Sequence, residues 1–315
     1  MPKTKNPRHG SLAYWPRKQA KKEIPRLRSI IVPKEAKICG FPSYKVGMTT
    51  VEYIDNRKFS HTVNELLAKP ATILECPPIK IFSVRYYKNT PYGLKLATEI
   101  LNPKLDKDLA RRVTLPKKKK ELQENLENVD LIRLVIYTQP RLTTIGKKRP
   151  ELFELSIGGP KEEQLTFVKE HLDKEINVKD VFAEGQLLDA HAVTKGKGYQ
   201  GTVKRYGIGL KSHKSEKGRR AAVLAAEGDA KVTYLSHQPG KMGYHLRTEN
   251  NKWLFKIIDD IASLKHFKHY GNVRNTCMLI KGTIPGATKR LIILTQAKRQ
   301  NKKIPTQAPE IRAIK

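Results

Sequence analysis

The sequence predicts a mainly β protein carrying an α/β insertion, and three observations predict it. Short apolar and β-branched runs bounded by Pro or Gly recur along the chain, among them ATILECPPIKIFSVRYYKN, DLIRLVIYTQP, ELFELSIGG, CMLIKG and RLIILT. Helical periodicity is confined to the middle, between Thr98 and Leu172. The stretch from His191 to Glu249 is dense in Gly, Lys and Arg, and strand-like text resumes after it, so it reads as an excursion from a folded sheet.

Composition bounds the partners. Of 315 residues, 38% are hydrophobic, which is enough for a core, while 62 Lys+Arg against 30 Asp+Glu leave a formal net charge of +32. Such an excess raises the cost of compaction and attracts polyanions, which makes a phosphate-rich partner the leading expectation. Cys39, Cys76 and Cys277 lie far apart with no CxxC pair, so neither a disulfide framework nor a paired-cysteine zinc site is expected. No apolar run approaches the roughly 20 residues needed to cross a bilayer, and neither secretion nor membrane insertion is expected.

Taken in order, residues 1–37 form a basic extension in which Pro7, Pro16, Pro25 and Pro33 interrupt any regular element, with Tyr14 and Trp15 free to dock on the protein or to stack on bases. Globular text begins at Ile38, where CGFPSYKVGMTTVEYID predicts a strand, a turn near Gly47 and a second strand. Leu101, Leu105, Leu109 and Val113 recur at helical spacing, which predicts two helical pieces flanking the basic run Lys117 to Lys120. A further helix is predicted from Lys161 to Leu172, with Leu165, Val168 and Leu172 on one face. Strands are expected again within 177–194, 253–261, 271–282 and 289–295, and the basic tail 296–315 is expected to be poorly ordered unless bound.

Enzymatic and cofactor readings find little support in the central stretch. Gly196, Gly198 and Gly201 satisfy GxGxxG, but the following text is broken by Gly207 and Gly209, and Arg220 to Val223 occupy the place of the acid that holds a ribose. No G-x-x-x-x-G-K-[ST] string exists. His191, His213, His237 and His245 have no metal-ligand spacing, and Ser212 and Ser236 sit in no nucleophile elbow. No metal or cofactor is therefore expected. Glycines that admit close backbone approach, guanidinium forks that match phosphate oxygens, and Tyr199, Tyr206, Tyr234 and Tyr244 fit RNA better, and so many glycines argue against a helix reading a DNA groove. An RNA-modifying enzyme and a DNA-architectural protein are the rival classes.

Five segments resemble one family along almost the whole chain: PRHGSLAYWPRK at Pro7 to Lys18, YKVGMTT at Tyr44 to Thr50, AVTKGKGYQGTVKRYG at Ala192 to Gly207, GYHLRTE at Gly243 to Glu249 and HYGNVRNTCMLIKGTIPG at His269 to Gly286. They are similar to the L-three family of large-subunit ribosomal proteins, and PRHGSLAYWPRK resembles its archaeal and eukaryotic branch. The resemblance implies a six-stranded translation-protein β-barrel from 38–85 and 177–295, an inserted α/β region at 86–176, and a long internal loop at 195–249. It also implies a structural, non-catalytic role in the cytoplasm. That role covers early subunit assembly and support of the peptidyl transferase centre and the aminoacyl-tRNA entry region. Large-subunit rRNA and neighbouring ribosomal proteins are the implied partners, with no membrane and no stable homo-oligomer.

On this resemblance and the charge pattern, rRNA contact is expected from Arg8, His9, Trp15, Arg17 and Lys18 in the arm, and from Lys45. In the loop it is expected from Lys195, Lys197, Tyr199, Gln200, Lys204, Arg205, Lys211, His213, Lys214, Lys217, Arg219, Arg220, Lys241, Tyr244, His245 and Arg247. One departure concerns the loop tip. Family members usually carry a tryptophan there, in text like GPWNPSRV; this chain has AAEGDAKV, with Glu227 at the tryptophan position.

Overall fold

Most of the apolar runs pair into two antiparallel sheets in the computed structural model, which describes residues 10–116, 129–210, 212, 214, 232–259 and 266–315. The strands are β1 (Gly40–Ile54), β2 (Leu66–Glu75), β3 (Ile79–Thr90), β4 (Gly93–Leu101), β5 (Leu131–Thr138), β6 (Leu152–Ser156), β7 (Leu187–Val193), β8 (Tyr199–Gln200), β9 (Gly240–Lys241), β10 (Leu246–Ile258), β11 (Cys277–Lys281), β12 (Leu291–Gln296) and β13 (Ile311–Ile314). Among the described residues helices are few: α1 (Lys161–His171), α2 (Val178–Val181), α3 (Thr202–Tyr206) and three short 3-10 segments. The protein is mainly β. Residues divide into a smaller unit, 1–22 with 193–246, and a larger one, 23–192 with 247–315.

In the larger unit one sheet runs β12-β7-β10-β11-β2-β1-β13, with β12 also pairing β1, and a second runs β4-β3-β5-β6. The residues Cys76-Pro77-Pro78 separate β2 from β3, since proline cannot donate to a ladder, and the two strands they divide enter different sheets. The first sheet is buried on both faces. Leu74, Met278, Ile280 and Leu294 join one apolar cluster with Ile81, Leu134, Val168 and Ile176, while Ile73, Leu279, Trp253 and Phe255 join another with Tyr53 and Val51. Burial on two sides explains why CMLIK and LIILT read as continuous apolar runs instead of alternating ones.

Several expectations need correction. The text from Ile38 to Asp55 holds one continuous strand, β1, and the turn expected near Gly47 is a register shift between Lys45 and Gly47. Both halves of β1 find partners, Gly40–Tyr44 on β12 and Val51–Tyr53 on β13, so nothing favours reversing the chain. The first helical piece is absent: Thr98 to Leu101 belong to β4, where Leu101 pairs with Ser83, and only a 3-10 segment at Lys107–Arg111 follows. Leu101, Leu105 and Leu109 still point to one place, a small cluster with Phe82, Val135 and Tyr137. The second helical piece and the Lys117 to Lys120 run lie outside the described residues. An 85/86 boundary would cut β3 in half.

The tail is the largest difference. Ile311–Ile314 form β13 on the edge of the first sheet, Ala297 and Pro309 are buried, and Ile304, Ile311 and Ile314 pack against the second cluster. Five spaced apolar residues and a free sheet edge offset the ordering entropy that composition alone suggested would win. The basic extension is likewise not uniform. Residues 10–22 belong to the smaller unit, whereas Ile24 and Leu27 pack on the core of the larger one and Gly159 N donates to Pro33 O at 3.0 Å. The helix expected from Lys161 to Leu172 is present as α1, with Val168 buried and Leu165 and Leu172 against the core.

Candidate nucleic-acid interface

Charge concentrates in the smaller unit. Its 76 residues carry 18 Lys+Arg and three Asp+Glu, a net +15 of the chain's +32. The three acids, Glu216, Glu227 and Asp229, lie outside the described residues, so no carboxylate stands among the described residues of this unit. Also outside are Arg8, His9, Lys211, His213, Lys217, Arg219 and Arg220.

Backbone pairing holds the loop in shape. Tyr199 pairs with Lys241 and Gln200 with Gly240 across β8 and β9, and the ladder extends through Lys197 N to Met242 O and Met242 N to Gly198 O, both 2.9 Å. Gly243 (φ +75°) closes the return: a Cβ there would lie 2.2 Å from the Lys195 carbonyl oxygen, so only glycine fits. Next to it, Thr194 N donates to His245 O at 2.9 Å, His245 N donates to Thr194 Oγ1 at 3.1 Å, and His245 Nδ1 lies 2.8 Å from Lys18 O. Ala20 N donates to Tyr244 O at 2.7 Å, which ties the arm to the loop. Within the GxGxxG segment Tyr199 and Gln200 form a two-residue strand and Gly201 is the N-cap of a helix of only five residues, which makes no dinucleotide cradle.

Aromatic packing docks the arm. The Trp15 ring lies 5.0 Å from Tyr206 and meets His237 edge-on at 5.4 Å, with Tyr206 and His237 themselves 4.9 Å apart. The Arg17 guanidinium sits 4.4 Å over Tyr206 and donates to the Arg205 carbonyl oxygen, while Arg205 Nη1 donates to Gln238 O at 2.8 Å. Arg17 and Arg205, both expected to contact rRNA, are therefore partly committed to this internal cluster. The part played by His237 was not legible, because its neighbours Trp15 and Tyr206 are distant in sequence.

Other expected contacts fall into two groups. Lys18, Lys195, Lys197, Lys204, Lys214 and Lys241 are exposed, as are Tyr199 and Tyr234, while Gln200 and Tyr244 are half-buried and His245 is buried. These cations and rings offer phosphate contact and base stacking on one irregular, glycine-containing unit. Lys45 faces inward instead: its ammonium donates to the carbonyls of Ile284 and Gly286, and burial lowers its pKa. Arg247 is half-buried in β10.

Nothing among the described residues is arranged for nucleophilic or metal chemistry. The cysteines are buried, and burial pushes the Cys39 thiol up to about 12, so it is protonated at neutral pH. His191 places Nδ1 2.9 Å from Thr248 Oγ1 and Nε2 3.0 Å from Thr295 Oγ1, a pair of structural contacts. No group of three metal-ligating side chains gathers among the described residues.

Comparison with known proteins identifies the family. The family model for ribosomal protein L3 matches residues 1–313. The chain is 40% identical over 330 aligned positions to the large ribosomal subunit protein uL3 of Methanosphaera stadtmanae, covering 100% of this chain and 98% of that one. It is 44% identical to uL3 of Archaeoglobus fulgidus, over 94% and 93% of the two chains, and 39% identical to that of Methanocaldococcus jannaschii, over 98% and 96%. These relatives are named as ribosomal proteins, not as enzymes. A match over nearly the whole length, by relatives of archaeal type, means that the chain belongs to the ribosomal protein L3 family.

Proposed function

We propose that the chain is a structural rRNA-binding protein of the cytoplasmic large ribosomal subunit, holding rRNA through its smaller, strongly basic unit. The observation that carries this reading is the set of exposed lysines on a unit whose sequence holds 18 Lys+Arg against three Asp+Glu. Large-subunit rRNA and neighbouring ribosomal proteins are the partners, early assembly is the stage, and support of the peptidyl transferase centre and aminoacyl-tRNA entry region is the role. The relatives' names and the arm docked on the loop support it. We read six strands, β1, β2, β11, β10, β7 and β12, as the translation-protein barrel, supported by the pairing of β12 with both β7 and β1. The inserted region then begins at β3. The tip role of the family's tryptophan is not carried over, since Glu227 brings a charge that phosphate repels.

Sedimentation of the native protein tests the reading. Comigration with large subunits through a moderate-salt wash supports it. A free pool with RNA turnover points to a modifying enzyme, a DNA-associated pool points to an architectural protein, and either outcome refutes it.

A further inference from the structure

Among the described residues, Phe59 and Tyr92 are the large apolar side chains that are fully exposed. A tyrosine gives water its hydroxyl; a phenylalanine has no polar atom, so full exposure of Phe59 leaves an entire apolar ring hydrated. A slack loop would let the ring fold back. The turn that carries it, between β1 and β2, is instead tightly bonded. Buried Asp55 accepts from Arg57 N at 3.2 Å, from Arg57 Nε at 2.8 Å and Nη2 at 2.7 Å, and from Thr62 Oγ1 at 2.7 Å. Ser60 Oγ lies 2.8 Å from Thr62 Oγ1, and backbone bonds Asn64 N to Asp55 O (2.8 Å) and Ser60 N to Arg57 O (3.2 Å) close the turn. Lys58 directly precedes Phe59 in the chain and His61 follows it by two residues, and both are exposed. The one carboxylate inside the turn, Asp55, is buried with both oxygens engaged, and Glu65 lies at the turn's base.

We infer that this turn is a second RNA contact, at which Phe59 stacks on an unpaired base while Lys58 meets an adjoining phosphate. The inference rests on the rRNA-binding reading above and extends it to a face that the family resemblance did not mark. A flat apolar ring next to an exposed lysine in the chain, with Asp55 buried and engaged inside the turn, complements a base and its phosphate; a pocket on a protein would need the ring but not the adjoining cation. Rigidity matters here because a turn whose neighbouring residues are already bonded in place loses little backbone freedom when the ring it carries stacks.

The test uses the full chain with p-benzoylphenylalanine at position 59, incorporated into large subunits and irradiated. An adduct to rRNA is expected, together with about tenfold weaker binding of rRNA by Phe59→Ala and binding within about twofold of normal for Phe59→Trp. An adduct to a ribosomal protein, or no adduct in subunits that carry the chain, would overturn the inference and leave the rRNA reading standing. Failure of the unsubstituted chain to sediment with large subunits would sink both.

Discussion

Replacing Lys195, Lys197, Lys204 and Lys241 together with alanine removes four exposed cations from the smaller unit while leaving Arg17 and Arg205 in their internal cluster. No side-chain hydrogen bond or ion pair ties any of the four among the described residues, so each exposed substitution should change stability by no more than about 0.5 kcal/mol. If each lysine neutralises one phosphate, it contributes about 0.7 to 0.9 to the slope of log K against log salt, and the variant's slope should be shallower by about 3. Raising salt from roughly 50 to 200 mM would then cost the unaltered protein roughly 60-fold more affinity than it costs the variant. Fluorescence anisotropy with large-subunit rRNA at five salt concentrations measures both slopes. Equal slopes, with the variant still folded, refute the assignment of these lysines to phosphate. Lys45→Ala supplies the contrast: its ammonium serves the Ile284 and Gly286 carbonyls, so that change should lower stability and leave the slope unchanged.

Two further predictions concern stability. Burial lowers the pKa of His191, with Asp189 opposing the shift weakly, so the folded state binds this proton less readily than the unfolded chain does. Its contribution is complete above the unfolded value of about 6.5 and is lost as pH falls from there through the folded value. The thermal midpoint should therefore fall between about pH 7 and pH 5 more steeply for the native chain than for His191→Asn; parallel curves would show that His191 does not report this loss. Gly185 (φ +83°) leaves no room for a side chain, since a Cβ would lie 2.4 Å from Thr306 O and 2.5 Å from Ala308 N. Gly185→Ala should cost about 1–3 kcal/mol and release the tail, read as faster tryptic cleavage at Lys302 and Lys303; unchanged cleavage would contradict the docking of that segment.

Much of the β content was legible because a strand buried on both faces declares itself as an unbroken apolar run, as in CMLIK and RLIILT. The α1 helix was legible from Pro160, the acids of its first turn and the spacing of Leu165, Val168 and Leu172. Short-range spacing misled where a distant partner decided the outcome. Leu101 stands at helical spacing with Leu105, yet its place is opposite Ser83 in β4; Gly47 resembles a turn glycine, yet β2, β12 and β13 together keep the strand going. At the candidate interface, residue type identified the cations but not their duties. Arg17, Arg205 and Lys45 are the same kinds of residue as Lys197 or Lys204 in the sequence, and only the contacts with Tyr206, Gln238 and Ile284 set them apart.

The sequence by itself determined that the protein is mainly β and that nearly half of its net charge sits in a glycine-broken internal stretch and its N-terminal arm, the ground for expecting a polyanionic partner; composition, periodicity and charge are local quantities. Tertiary structure decided that the tail forms a strand, that Trp15 docks on Tyr206, and which cations remain exposed. Each of these depends on a partner far away in the chain, and the free energy of such a contact is set by who arrives beside whom in space.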